Sequence, residues 1–266
     1  MLIDPPPVDI SLATIFLSET VGTAILLLLG AGVCCAVSFN GSKAKDAGWL
    51  VVNFGWGLAV FAGVLASYKS GGHLNPAVTL GVVASKAGTE NPEFVPGIAI
   101  NAASIGVYIG AQLLGAFIGA ALAWLTYKKQ FDIDQPDGAK LGVFATGPAI
   151  RSYGWNVVTE ALGAFVLVFI VLAAGHWGDS ATSTPGGLGW LGALGVALLI
   201  VGIGASLGGP TGYAINPARD LAPRLWHAIM PAPNKGGSDW AYAWVPVVGP
   251  IIGGLAAGFA SGVLLP

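Results

Sequence analysis

Residues 72–81 read GHLNPAVTLG and residues 212–221 read GYAINPARDL. Each places Asn-Pro-Ala between long apolar runs. Asn is a favoured helix cap and Pro a favoured first helical residue, so each tripeptide predicts a helix that begins there. The apolar segments that follow, 77–85 and 218–229, are too short to span a bilayer. At about 1.5 Å per residue each covers about half of a hydrocarbon core roughly 30 Å thick. Half-spanning helices are tolerated only where protein shields them or where they line a watery cavity.

The rest of the chain supplies the membrane context. Of 266 residues, 55% are hydrophobic and only 9% are charged, against about 25% charged in soluble domains. The 41 glycines also suit membrane helices better than a soluble helical core. Six stretches are long and apolar enough to span: 14–37, 49–68, 102–127, 155–174, 187–207 and 244–265. Trp49, Trp124, Trp155, Trp190 and Trp244 lie near their ends, as an interfacial belt requires. The opening MLIDPPPVDI has neither a basic region nor a cleavage pattern, so the first run is expected to be a retained span. A net charge of −2 gives no reason to expect a nucleic-acid partner. Adjacent Cys34 and Cys35 read as packing residues facing lipid or helix, not as a disulfide or metal site.

A repeat organises these elements. Glu19 in SETVGTAILLLLGAG precedes Asn75 by the same 56 residues that separate Glu160, in TEALGAFVLVFIVLAAG, from Asn216. Gly22 and Gly163 match in that register. The chain therefore reads as two copies of one unit, residues 1–130 and 155–266, joined by a polar Pro/Gly-bearing loop at 131–154. Three spans per unit is an odd number, so the second copy inserts inverted, a plan common in transport proteins. The fold class expected is an all-α membrane protein with six transmembrane helices and two re-entrant half-helices. The half-helices enter from opposite faces and meet near the midplane. Each Asn caps its own helix through its side-chain oxygen, leaving its amide group free to hold a passing oxygen. Two positive helix ends there repel cations.

On these residues the chain resembles the aquaporin superfamily, the major intrinsic proteins, from about Thr14 to Leu265. The resemblance implies one pore per protomer, a homotetramer, a plasma-membrane location and cytoplasmic termini. It places the pore's NPA residues at Asn75, Pro76, Ala77, Asn216, Pro217 and Ala218. It places the narrowest ring at Trp56 in FGWGLAV, Gly204 in GIGASLGG, and Tyr213 and Arg219 in GYAINPAR. Trp and Gly there resemble the glycerol facilitators, whereas water-selective members carry His where Gly204 stands. Tyr127, Asp220, Arg224, Pro246 and Val247 also read as that branch. Tyr213 departs from a common Phe and adds one hydroxyl.

The physics of glycerol agrees with that branch. Trp56 and Tyr213 can face its CH edge, and Arg219 can donate to two hydroxyls. Gly204 leaves room for a carbon backbone. The unwound residues Gly71, Gly72, His73 and Leu74, with Gly212, Tyr213, Ala214 and Ile215, would offer pore-facing carbonyls as acceptors. Asp220 and Arg224, spaced i, i+4, can pair.

Glu19 and Glu160 admit two readings. An intramembrane carboxylate is functional by default, so a proton relay in a coupled carrier is one. The other is that each Glu accepts N–H groups of the nearby loop and aims its carbonyls; the repeat symmetry and the resemblance favour this. A strict water channel is the alternative within the passive class. No nucleophile–base pair, phosphate loop or metal cluster is visible, so neither an enzyme nor a cofactor is expected. His73 is expected to donate to a loop carbonyl, His176 and His227 to lie at the surface or interface, Asn40-Gly41-Ser42 to form a turn, and Lys128-Lys129 to anchor at the interface. Charge bias points against the topology implied by the resemblance. Lys69 and Lys86 fall on the implied cytoplasmic side, whereas Lys43, Lys45, Lys128, Lys129, Lys140, Arg151 and Lys235 fall opposite.

Overall fold

A computed structural model describes residues 10–174 and 191–265. Its main helices in chain order are α1 (Leu12–Ser38), α2 (Trp49–Ala66), α3 (Pro76–Ser85) and α4 (Ala102–Thr126). Two short turns, α5 (Lys128–Phe131) and α6 (Ala139–Gly142), precede α7 (Tyr153–Ala174), α8 (Leu191–Leu207), α9 (Pro217–Ile229) and α10 (Val245–Leu264). Five of them, α1, α2, α4, α7 and α10, are long and apolar enough to cross a membrane. The sixth expected span, 187–207, is described from Leu191 and is helical from there to Leu207. Trp190 and His176 lie outside the described residues.

Local signals start these helices where the sequence places them. Ser11 Oγ accepts from Thr14 N at 3.2 Å to cap α1. Asn101 and Ser104 cap α4 reciprocally. Asn75 and Asn216 cap α3 and α9 by accepting from Ala77 N at 2.8 Å and Ala218 N at 3.0 Å, with Pro in the first turn of each. Such caps satisfy donors that a helix start leaves without partners.

The helices pack in pairs. α1 lies along α4, α7 lies along α10, and α2 packs on α8. Each half-helix is embraced by the far half: α3 packs on α10, and α9 on α4. Small residues permit this closeness, as expected where lipid removes any hydrophobic drive between helices. A Cβ on Gly119 would lie 2.7 Å from Leu27 Cβ, and one on Gly249 would lie 2.7 Å from Glu160 Cβ. The outer faces keep exposed apolar side chains such as Leu17, Leu50, Leu162 and Phe259, the surface that a bilayer covers.

Several expectations need correction. The connecting segment 131–154 is more than a polar boundary, because Phe131, Val143, Phe144 and Ala145 are buried in the core. His227 is fully buried, not at a surface: Ser238 Oγ at 2.9 Å and the Lys235 carbonyl at 3.2 Å satisfy both ring nitrogens. His73 meets the Thr79 hydroxyl at 3.1 Å instead of a loop carbonyl, and stacks on Tyr108 at 4.6 Å. Cys34 and Cys35, by contrast, are buried packing residues as expected, both free thiols. Asn40 and Gly41 do form a turn, with Gly41 at φ 77°. Lys128 bonds Asp132 and lies over the Trp124 ring.

Candidate functional site

The two half-helix starts meet in the interior. Asn75 Nδ2 donates to the Ile215 carbonyl at 2.9 Å, and Asn216 Nδ2 donates to the Leu74 carbonyl at 2.9 Å. The amides are therefore only half free. One N–H of each locks the two loops together, and both asparagines line the cavity described below. The same bonds engage the Leu74 and Ile215 oxygens. The carbonyls of Gly71, Gly72, His73, Gly212, Tyr213 and Ala214 accept no hydrogen bond from any described donor.

These loops hold a costly backbone. Leu74, Tyr213 and Ile215 have φ of 54°, 38° and 43°. For a β-branched residue such as Ile215 this is a true outlier, and each such residue costs on the order of 1–3 kcal/mol. The glutamates over-determine it. Glu19 accepts from His73 N at 3.0 Å and Leu74 N at 2.8 Å, and Glu160 from Ala214 N at 3.0 Å and Ile215 N at 2.7 Å. Glu19 also accepts from Ser70 Oγ at 2.5 Å and Gln112 Nε2 at 2.9 Å. Gly22 and Gly163 let α1 and α7 approach: a Cβ there would lie 2.7 Å from Leu74 and 2.8 Å from Ile215.

A cavity of about 130 Å³ runs between the loops. Trp56, Tyr213, Arg219, Asn75, Asn216 and the loop residues Gly71, Gly72, His73, Leu74, Ala214 and Ile215 line it. Leu26, Val60, Val64, Val78, Leu167, Val171, Val196 and Ile200 add apolar carbon to its lining. The Arg219 guanidinium lies 4.0 Å from the Trp56 ring centroid and donates to the Phe144 carbonyl at 2.8 Å. Trp56 Nε1 donates to Cys34 Sγ at 3.3 Å, which fixes the indole plane.

Gly204 does not line this cavity. A Cβ there would lie 2.6 Å from Tyr213 Cζ and 2.8 Å from Tyr213 Oη. The volume it leaves empty is filled by the Tyr213 ring and the Asn53 side chain, whose Oδ1 would lie 2.4 Å from that Cβ. Gly212 lies behind the loop against Thr146.

Asp220 and Arg224 are fully buried and paired at 2.8 Å. Asp220 Oδ2 accepts from Thr146 N and Oγ1 at 2.6 and 2.8 Å. Arg224 donates to the carbonyls of Thr146 at 2.8 Å, Ser238 at 2.9 Å and Asp239 at 3.1 Å. The pair ties α9 to the connecting segment whose Phe144 carbonyl holds Arg219. Tyr127 caps α4, and Pro246 and Val247 sit in the first turn of α10; none of the three reaches the cavity. Sequence reading passed over Asn53, Gln112, Phe144 and Thr146. Asn53 and Gln112, polar residues inside apolar spans, carried a usable signal; the other two carried none.

The comparisons with known proteins agree with this architecture. Residues 8–261 match the family described as "Major intrinsic protein". The chain is 48% identical to glycerol uptake facilitator protein 3 of Lactiplantibacillus plantarum over 240 residues, 90% of this chain and 91% of that one. It is 48% identical to a probable glycerol uptake facilitator protein of Thermotoga maritima, covering 89% of this chain and 93% of that one. The X-ray structure of the aquaglyceroporin from Plasmodium falciparum superimposes with a TM-score of 0.76 at 28% identity, covering 96% and 97% of the two chains. With its paired half-helices, its six-span plan and these matches, the chain belongs to the major intrinsic protein family of multi-pass membrane proteins.

Proposed function

We propose that the chain is a passive channel conducting glycerol and related small neutral solutes, with water, while excluding protons and ions. The observation that carries this reading is the mixed lining of the cavity: aromatic and aliphatic carbon together with Arg219 and loop residues whose carbonyls accept no hydrogen bond from a described donor. A three-carbon polyol presents both a CH edge and a hydroxyl edge. The names of the similar proteins point to the same solute. Residues 1–130 and 155–266 are the two repeats, with 131–154 as their connector; Trp56, Tyr213 and Arg219 form the constriction, and Gly204 stands behind the Tyr213 ring. The positive ends of α3 and α9, together with Arg219, repel cations. By family likeness the channel is a homotetramer in the plasma membrane with cytoplasmic termini; the mass of the detergent-solubilised particle checks the assembly.

Stopped-flow light scattering of proteoliposomes tests the function. Glycerol and water should equilibrate faster than in empty liposomes, with low activation energy and no response to a protonophore. Solute accumulation driven by a pH gradient would mean a coupled carrier instead. The donors around Glu19 argue against that outcome. Four of them converge on it, which is the arrangement of an acceptor-only carboxylate.

Glu160→Gln sharpens the point. The amide keeps one acceptor for the two N–H groups of Ala214 and Ile215 and sets a donor against the other. Loss of one buried bond costs about 1–3 kcal/mol. Glycerol flux should fall several-fold yet stay independent of pH gradient; an abolished proton-coupled uptake would contradict this.

A further inference from the structure

We infer that Asn53 is a positioning residue of the constriction: it holds the Tyr213 hydroxyl away from the lumen and so sets the discrimination between polyols and water. The inference rests on the reading of Trp56, Tyr213 and Arg219 as the constriction.

Asn53 is fully buried in α2, three residues before Trp56. Its side-chain amide has one orientation in which nitrogen and oxygen both find partners. The nitrogen then donates to Tyr213 Oη at 2.8 Å, and the oxygen accepts from Trp49 Nε1 and Ala205 N, each at 3.2 Å. The ring lies where Cβ atoms of Gly204, on α8, and Gly208, just past its C-terminal end, would stand. Trp49 closes over it edge-on, 5.7 Å between centroids, and also donates to the Gly204 carbonyl at 3.0 Å. The hydroxyl therefore points between α2 and α8, toward two residues that do not line the cavity.

A buried hydroxyl needs a partner. Asn53 is the described side chain that supplies one, and α2 carries it on the same helix as Trp56. One helix thus sets two walls of the constriction, Trp56 directly and Tyr213 through its hydroxyl. Without Asn53, the hydroxyl turns to the lumen, where solute and water are the remaining partners. That narrows the passage and adds a polar group to the apolar wall. A three-carbon solute needs both the width and the carbon contact; water needs neither.

The test compares glycerol-to-water permeability ratios in proteoliposomes for wild type, Asn53→Leu, Tyr213→Phe and the double variant. Leucine keeps the volume and removes the amide. In the wild-type background Asn53→Leu should lower the ratio about fivefold, the scale of one buried hydrogen bond. Tyr213→Phe keeps the ring in place and should change it less than about twofold. With no hydroxyl to hold, Asn53→Leu in the Tyr213→Phe background should shift the ratio by less than about twofold, the non-additivity expected of groups in contact. Equal falls in both backgrounds would show that Asn53 does not act through Tyr213, and an unchanged ratio in both would show that it positions nothing; either overturns the inference. If Asn53→Leu does not insert, Asn53→Ala gives the same comparison, with retained water flux reporting the fold. Wild-type vesicles that pass water but no glycerol would overturn the constriction reading itself, and this inference with it.

Discussion

Replacing Arg224 with leucine is expected to cost the folded chain about 3–5 kcal/mol, the scale of breaking a buried ion pair by removing one partner. Both members of the pair are fully buried. Removing the guanidinium leaves Asp220 charged and without its counter-ion. It also strips a donor from the carbonyls of Thr146, Ser238 and Asp239. The consequence is not confined to stability. Thr146 lies two residues from Phe144, whose carbonyl holds Arg219, so a loosened connecting segment frees the constriction's cation. Arg224→Leu should therefore unfold at a markedly lower temperature in detergent and conduct with weaker preference for glycerol over larger polyols. Joining it to Asp220→Leu should recover part of the loss, because a buried pair replaced by apolar residues is often near neutral. The recovery stays partial, since the three carbonyls still lack donors. A fall in stability below about 1 kcal/mol for the single variant would mean that water reaches the pair, and the clamp assigned to it would be wrong.

That clamp shows where sequence reading reaches and where it stops. The spans were legible because a bilayer imposes a length on every apolar run, and α1, α2, α4, α7 and α10 keep the expected stretches to within two residues. The half-helices were legible because Asn-Pro marks a helix start chemically, whatever surrounds it. The glutamates' contacts followed from a repeat distance that put each beside its own loop. Side chains whose meaning depends on a distant neighbour were not legible. Nothing local in the segment 131–154 says that Phe144 and Thr146 fold back over α9, a contact spanning more than 70 residues. Cys34 reads as packing until Trp56 is seen to donate to it. His227 reads as interfacial until Ser238 and Lys235 are brought to its ring. Gly204 is the most instructive case. The missing side chain was visible, but which group takes the vacated space is decided by the left-handed backbone of Tyr213, whose φ of 38° aims the ring at α8.

Gly204→His should therefore act through Tyr213. A Cβ at residue 204 falls 2.4 Å from Asn53 Oδ1 and 2.6 Å from Tyr213 Cζ, closer than side chains approach, so even alanine shifts the amide and the ring that it holds. An imidazole occupies the ring's place outright and drives it into the lumen. Two losses follow for glycerol: width, and a flat carbon wall beside its CH edge. Hydrophobic sites discriminate by roughly 10–200-fold for a change of one methylene, so a displaced ring should lower glycerol flux by at least about tenfold. Water, smaller and indifferent to the wall, should keep its flux to within a few-fold. The background decides the mechanism. In Tyr213→Ala the place beside α8 is vacant, so the histidine can occupy it without narrowing the lumen, and the glycerol-to-water ratio should fall far less than in the wild-type background. An equal fall in both would mean that Gly204 faces the solute directly, as its bare sequence position suggests. An unchanged ratio with Tyr213 present would place the constriction elsewhere, because no small adjustment hides an imidazole between Asn53 and the tyrosine ring.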